Sequence, residues 1–65
     1  MRVLVNGAWR ETVAAELSSV LQELGYGEAV VATAVNGEFV AAGVQAGTRL
    51  AEGDRVEVLA PMQGG

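Results

Sequence analysis

The residues whose chemistry stands out are the last four, Met62-Gln63-Gly64-Gly65. Two glycines run to a free carboxylate. Glycine has no Cβ and adopts conformations closed to other residues, so such an end can enter a narrow site backbone first. A glycine-rich end is also the ordinary form of a frayed terminus. The tail alone does not choose between these two readings.

The rest of the inventory weighs against catalysis by the chain itself. Its 65 residues include no His, no Cys and no Lys. The commonest general base, the thiolate nucleophile and the Schiff-base amine are therefore all missing. Ser18 and Ser19 have no base to activate them, so the expectation is a protein that is not an enzyme. Absence of Cys also removes a disulfide framework and a thiolate metal site, and no bound cofactor or metal is expected. Four Arg against eight Asp and Glu leave a net charge of −4. That charge repels a phosphate backbone, so no nucleic-acid partner is expected. A protein partner with a basic docking surface is better matched. Met1 leads straight into an alternating pattern, without the basic and apolar regions of a signal peptide. No apolar run approaches the ~18 residues that would span a bilayer. A soluble, cytoplasmic protein with no membrane association is the expectation.

The elements that position the tail have clear local signals. Met1 to Val5 reads as a strand. Asn6-Gly7 is a hairpin turn, since a type I′ turn needs φ > 0 at both central residues, and Ala8 to Glu11 is the returning strand. Val13, Leu17, Val20, Leu21 and Leu24 form one apolar stripe of helical period. Thr12 is its expected N-cap and Gly25 its left-handed C′ residue. Val30 to Val35, a second Asn36-Gly37 turn and Glu38 to Val40 make a second hairpin. Ala41 to Thr48 carries Gly43 and Gly47 and no apolar stripe, so no second helix is expected there. Glu52-Gly53-Asp54 is a turn before the strand Arg55 to Leu59, whose alternation puts Val56 and Val58 on one face. Pro61 cannot donate to a ladder, so the sheet should end at Ala60. The order β-β-α-β-β-β allows one helix to cover one sheet face in a two-layer α+β domain. Residues 1–60 form the domain and 61–65 a flexible arm, whose last four residues extend roughly 13 Å.

Together these residues resemble a known family. Val5-Asn6-Gly7, Thr12-Val13 with Leu17 and Leu21, Val35-Asn36-Gly37-Glu38-Phe39-Val40, and Leu50 to Leu59 running into Gly64-Gly65 are similar to the ThiS sulfur carriers of thiamin (thiazole) biosynthesis. These have the β-grasp, ubiquitin-like fold. The resemblance covers nearly the whole chain and rests on the order of motifs that are individually weak. Many members carry a Pro-Arg pair where this chain has Ala41-Ala42, so no role of that Arg is carried over.

The resemblance implies a mixed sheet of four to five strands, the first and last parallel and adjacent at its centre, with one helix on one face. It implies that the Gly65 carboxylate is adenylated by a ThiF-type adenylyltransferase using ATP, then converted to a thiocarboxylate. That sulfur, taken from a sulfur donor enzyme, would pass to a ThiG-type thiazole synthase. Gly64, Gln63 and Met62 would thread into the partner's site. Alternation points Leu4 and Leu59 away from the helix, where the implied parallel pairing would make them neighbours and possible partner contacts near the tail root. Trp9 is read as strand packing or as an interface anchor, and Glu52, Asp54 and Glu57 as a solvated acidic turn or a docking site for a basic partner. Three alternatives stay open: a carrier of the molybdopterin synthase small-subunit type, a ubiquitin-like protein modifier, and a plain binding module.

Overall fold

A computed structural model of the chain describes residues 1–26 and 30–61. Its elements are β1 (Arg2–Val5), β2 (Ala8–Glu11), α1 (Leu17–Glu23), β3 (Val31–Val35), β4 (Glu38–Val40), a 3-10 helix (Ala42–Gly47) and β5 (Arg55–Pro61). One five-stranded sheet has the order β2-β1-β5-β3-β4. β5 lies at its centre, parallel to β1 and antiparallel to β3. This is the β-grasp arrangement, with α1 covering one face.

Both hairpin turns form as their Asn-Gly pairs require. Asn6 and Gly7 have φ 49° and 84°, and Asn36 and Gly37 have φ 51° and 88°. β1 and β3 run in opposite directions beside β5 and both end level with Val56, so the two turns leave towards opposite ends of the sheet from neighbouring levels of β5. The backbone amide of Asn6 donates to the Val56 carbonyl (3.0 Å), whereas that of Asn36 donates to the Arg55 carbonyl (2.7 Å).

The core consists of Val3, Val5, Leu17, Val20, Leu21, Val31, Leu50, Val56 and Val58. Val3 and Val5 come from alternate positions of β1, Val56 and Val58 from alternate positions of β5, and Leu17, Val20 and Leu21 from one stripe of α1. Alternation of period 2 thus meets helical period 3.6 across a single apolar layer.

The helix departs from the sequence reading at its start. It begins at Leu17, not after Thr12, and Val13 is 96% exposed. The competing interaction is β-like pairing: Leu17 N–H donates to Thr48 O, Leu50 N–H donates to Ala15 O, and Glu16 bridges Arg49 (both bonds 2.8 Å). Glu16 is extended, with φ −92° and ψ 142°. A helical turn over residues 13–16 would forfeit this pairing and withdraw Leu50 from the core. Thr12 serves elsewhere: it is buried, its amide donates to Met1 O at 2.8 Å, and the Met1 amine donates to Thr12 O at 2.7 Å. The amides of Val13 and Ala14 donate to the Glu23 carboxylate at 2.9 and 2.7 Å, so one side chain near the helix end holds the loop before its start.

The helix ends as expected. Gly25 has φ 97°; its amide donates to Gln22 O and the Tyr26 amide to Leu21 O, a Schellman motif. The segment after β4, where no helix was expected, forms two successive 3-10 turns, closed by Val44 N–H to Ala41 O and Thr48 N–H to Gln45 O. Its anchor is Gln45, 7% exposed, whose Nε2 donates to Val31 O and to Thr33 Oγ1, both at 3.0 Å. Thr33 Oγ1 in turn donates to Val40 O at 2.9 Å. β4 ends at Val40, so Gln45 supplies the donor that a longer β4 would have offered to Val31.

Two outcomes are expected in urea unfolding. Val13→Ala changes stability by less than about 0.5 kcal/mol, whereas Leu17→Ala costs roughly 2–5 kcal/mol. Gln45→Leu leaves the buried Val31 carbonyl without its donor and costs about 1–3 kcal/mol.

Candidate functional site

The expected covalent position Gly65 and the threading residues Gly64, Gln63 and Met62 lie outside the described residues. The described part of the site is the root from which they continue. β5 extends one residue past the expected boundary, to Pro61, which stands opposite Val31. A proline tolerates a strand's last position because no further ladder bond needs its missing N–H.

β5 is paired with β3 as far as Pro61, and on its other side it is held as far as Val58. On the β1 side the partner strand ends at Val5, level with Val56. The Asn6 side chain then continues the pairing: Oδ1 accepts from Val58 N–H at 2.9 Å and Nδ2 donates to Val58 O at 3.2 Å. A carboxamide has one acceptor and two donors, so it can satisfy both main-chain groups of one strand residue. On the β3 side, Asn36 does related work at the start of the strand. Its Oδ1 accepts from Arg55 N–H at 2.9 Å and its Nδ2 donates to Asp54 at 3.1 Å. The sequence reading explained the repeated Val-Asn-Gly triplet by turn chemistry alone. Its second use, a side-chain amide set against β5, emerges only when the strands are assembled.

The outer sheet face, away from α1, carries Leu4, Trp9, Arg55, Glu57 and Phe39 by cross-strand register. Trp9, Phe39 and Leu59 are more than half exposed, and Leu4 is half-buried. Leu4 and Leu59 both point away from the core, as alternation predicts, but they are not neighbours. Leu4 sits beside Arg55, and Leu59 lies four residues further along β5. That separation is roughly 13 Å at strand rise, with Glu57 between them. The parallel register starts β5 opposite Leu4, which carries the later residues beyond the end of β1. Leu4 pairs instead with Trp9, and the Arg2 guanidinium lies 4.7 Å from the Trp9 ring centroid.

The acidic turn is more internally engaged than a solvated one. Glu52 accepts from the Arg2 amide at 3.0 Å, and Asp54 accepts from Asn36 Nδ2 and from the Ala51 amide at 2.8 Å. Glu57 stays exposed. An open cleft of about 590 Å³ lies at the sheet end opposite the tail root, between Phe39, Glu38, Arg49 and Asp54. It assembles no nucleophile with a base. Among the described residues no cluster of His, Cys, Asp or Glu is arranged to hold a metal. No helix there is long and apolar enough to cross a membrane.

The family model for the ThiS family matches residues 3–65. The chain belongs to the ThiS family. Its fold agrees with a crystal structure of the thiamine biosynthesis protein ThiS from Geobacter metallireducens, at 30% identity and TM-score 0.79 over 100% of both chains. A solution structure of a thiamine biosynthesis protein from the same organism is also similar, at 30% identity and TM-score 0.74 over 100% of this chain and 88% of that one. No curated relative matches the chain. The ThiS match runs through the Gly-Gly end, and the structural likeness extends over the body that presents it.

The Arg2–Trp9 contact can be measured directly. Arg2→Ala leaves the backbone bond to Glu52 in place, and should lower stability by about 0.5–1 kcal/mol, the value of an exposed cation–π pair. A double-mutant cycle with Trp9→Leu should recover that figure as coupling energy.

Proposed function

We propose that this chain is the sulfur carrier of thiamin biosynthesis and that the carrying atom sits on the Gly65 carboxyl. The observation that carries this reading is the ThiS match extending to the last residue, with Gly64-Gly65 inside it. The inventory agrees: with no Cys in the chain, no side-chain persulfide can form, and the carboxyl is left as the position for sulfur.

A carboxylate is a poor electrophile because attack must expel oxide. A ThiF-type adenylyltransferase joins the Gly65 carboxylate to the α-phosphate of ATP and releases pyrophosphate. A sulfur nucleophile derived from a donor enzyme then attacks the acyl carbon, and AMP leaves with the electron pair of the broken C–O bond. The product is a thiocarboxylate, which a ThiG-type synthase consumes as the thiazole ring is built. The chain is a co-substrate in these steps and not their catalyst; ATP is bound by the partner.

The division between body and arm follows from the energetics of insertion. Fixing the backbone of a residue on insertion costs on the order of 1–2 kcal/mol, so contacts elsewhere on the domain must offset the threading of Met62 to Gly65. The outer face offers Trp9, Leu4 and Leu59 for such contacts, in two separated groups. Exposed Glu57 between them suits a basic side chain on the partner.

Intact mass spectrometry tests the reading. After incubation with ATP, the adenylyltransferase and a sulfur donor, the mass should rise by the difference between sulfur and oxygen, localised to Gly65. Deletion of Gly65 should abolish the gain while leaving the unfolding transition in place. An unchanged mass with the cognate enzyme would overturn the carrier reading. Gly-Gly remnants on cellular lysines would point to a protein modifier in its place.

A further inference from the structure

Where β5 outruns β1, the Asn6 carboxamide takes over on that side, bonded to both main-chain groups of Val58. Immediately after this point the pairing with β3 becomes irregular. Thr33 is level with Val58 and Val31 with Pro61, so β5 advances three residues while β3 advances two (61 − 58 against 33 − 31). The extra residue is a β-bulge, which bends its strand and re-aims the residues beyond it. A bulge sets a defined direction only if the chain entering it is fixed. Thr33 is level with Val58 on one side, and on the other Asn6 bonds both main-chain groups of Val58 and so fixes the chain there, three residues before Pro61.

From this arrangement, and resting on the carrier reading above, we infer that Asn6 is a positioning residue for the chemistry at Gly65. Its carboxamide fixes β5 at Val58, before the bulge, and so sets how the strand runs to Pro61, from which the tail continues. Asn6 touches no reacting atom. It acts on the fraction of docked complexes in which the carboxylate meets the nucleotide, and thus on kcat, while the surfaces that govern docking are unchanged.

The pair of Asn-Gly turns supplies its own control. Asn6→Gly keeps the left-handed turn, which glycine adopts freely, and removes the clamp on Val58. Asn36→Gly makes the same change in the same turn type at the far end of β5, losing the bonds to Arg55 and Asp54. Each variant is assayed with the adenylyltransferase and ATP for pyrophosphate release, alongside thermal unfolding. Asn6→Gly should lower kcat about 10-fold, within the range that misplacement of a reacting group produces, with KM within twofold of wild type. Asn36→Gly should lose comparable thermal stability and keep the wild-type kcat. Asn6→Asp, which keeps an acceptor for the Val58 amide but not the donor, should fall between Asn6→Gly and wild type. It decides the matter if Asn6→Gly does not fold. Equal kcat in Asn6→Gly and Asn36→Gly, a loss confined to KM, or a wild-type kcat in Asn6→Asp would overturn the inference. A wild-type chain that releases no pyrophosphate would overturn the carrier reading itself, and this inference with it.

Discussion

Everything in this domain depends on keeping the buried part of β5 paired on both sides. β5 is the central strand, it carries Val56 and Val58 into the core, and the last four residues of the chain follow it. Its neighbours are too short for it: β1 stops level with Val56 and β4 does not reach far enough to support all of β3. An unpaired main-chain group in a buried position costs about as much as a lost hydrogen bond. Amide side chains make up the deficit. Asn6 serves Val58, Asn36 serves Arg55, and Gln45 serves Val31 on the adjacent strand. The pattern is economical in a 65-residue chain, where few residues are free to extend strands.

The same constraint explains why the helix is short. Leu50 reaches the core only because Thr48 to Leu50 is held against Ala15 to Leu17 by main-chain bonds. A longer helix would satisfy helical periodicity at Val13 and lose that pairing. The fold keeps Leu50, exposes Val13, and binds the displaced amides of Val13 and Ala14 with Glu23. Local preference yields to the arrangement that buries more apolar surface and leaves fewer donors free.

For the proposed carrier role, the described body offers a partner a defined shape. The clamps lie on the body up to Val58, and the glycines lie at the end. A partner can therefore grip a body of defined shape and still draw the carboxyl into an enclosed site. The outer face matches that task in its separated Trp9–Leu4 and Leu59 positions, with Glu57 between them.

The sequence by itself determined the five strands and the one α-helix, the two Asn-Gly turns, the Gly25 helix stop and the inward face of β5, because each is a local property of backbone conformation or of side-chain period. It did not determine the 3-10 turns of Ala42–Gly47. The absence of His, Cys and Lys removed the usual catalytic side chains from consideration, and the resemblance then directed attention to Gly64-Gly65. The family resemblance added strand order to that reading. Only the tertiary structure decided where α1 begins, that Leu4 and Leu59 lie apart, and that Asn6, Asn36, Gln45 and Glu23 bind distant main chain. Those outcomes turn on register and on which donors remain unpaired after assembly. The bonds concerned join residues as far apart as Asn6 and Val58, and no local pattern in the sequence records them.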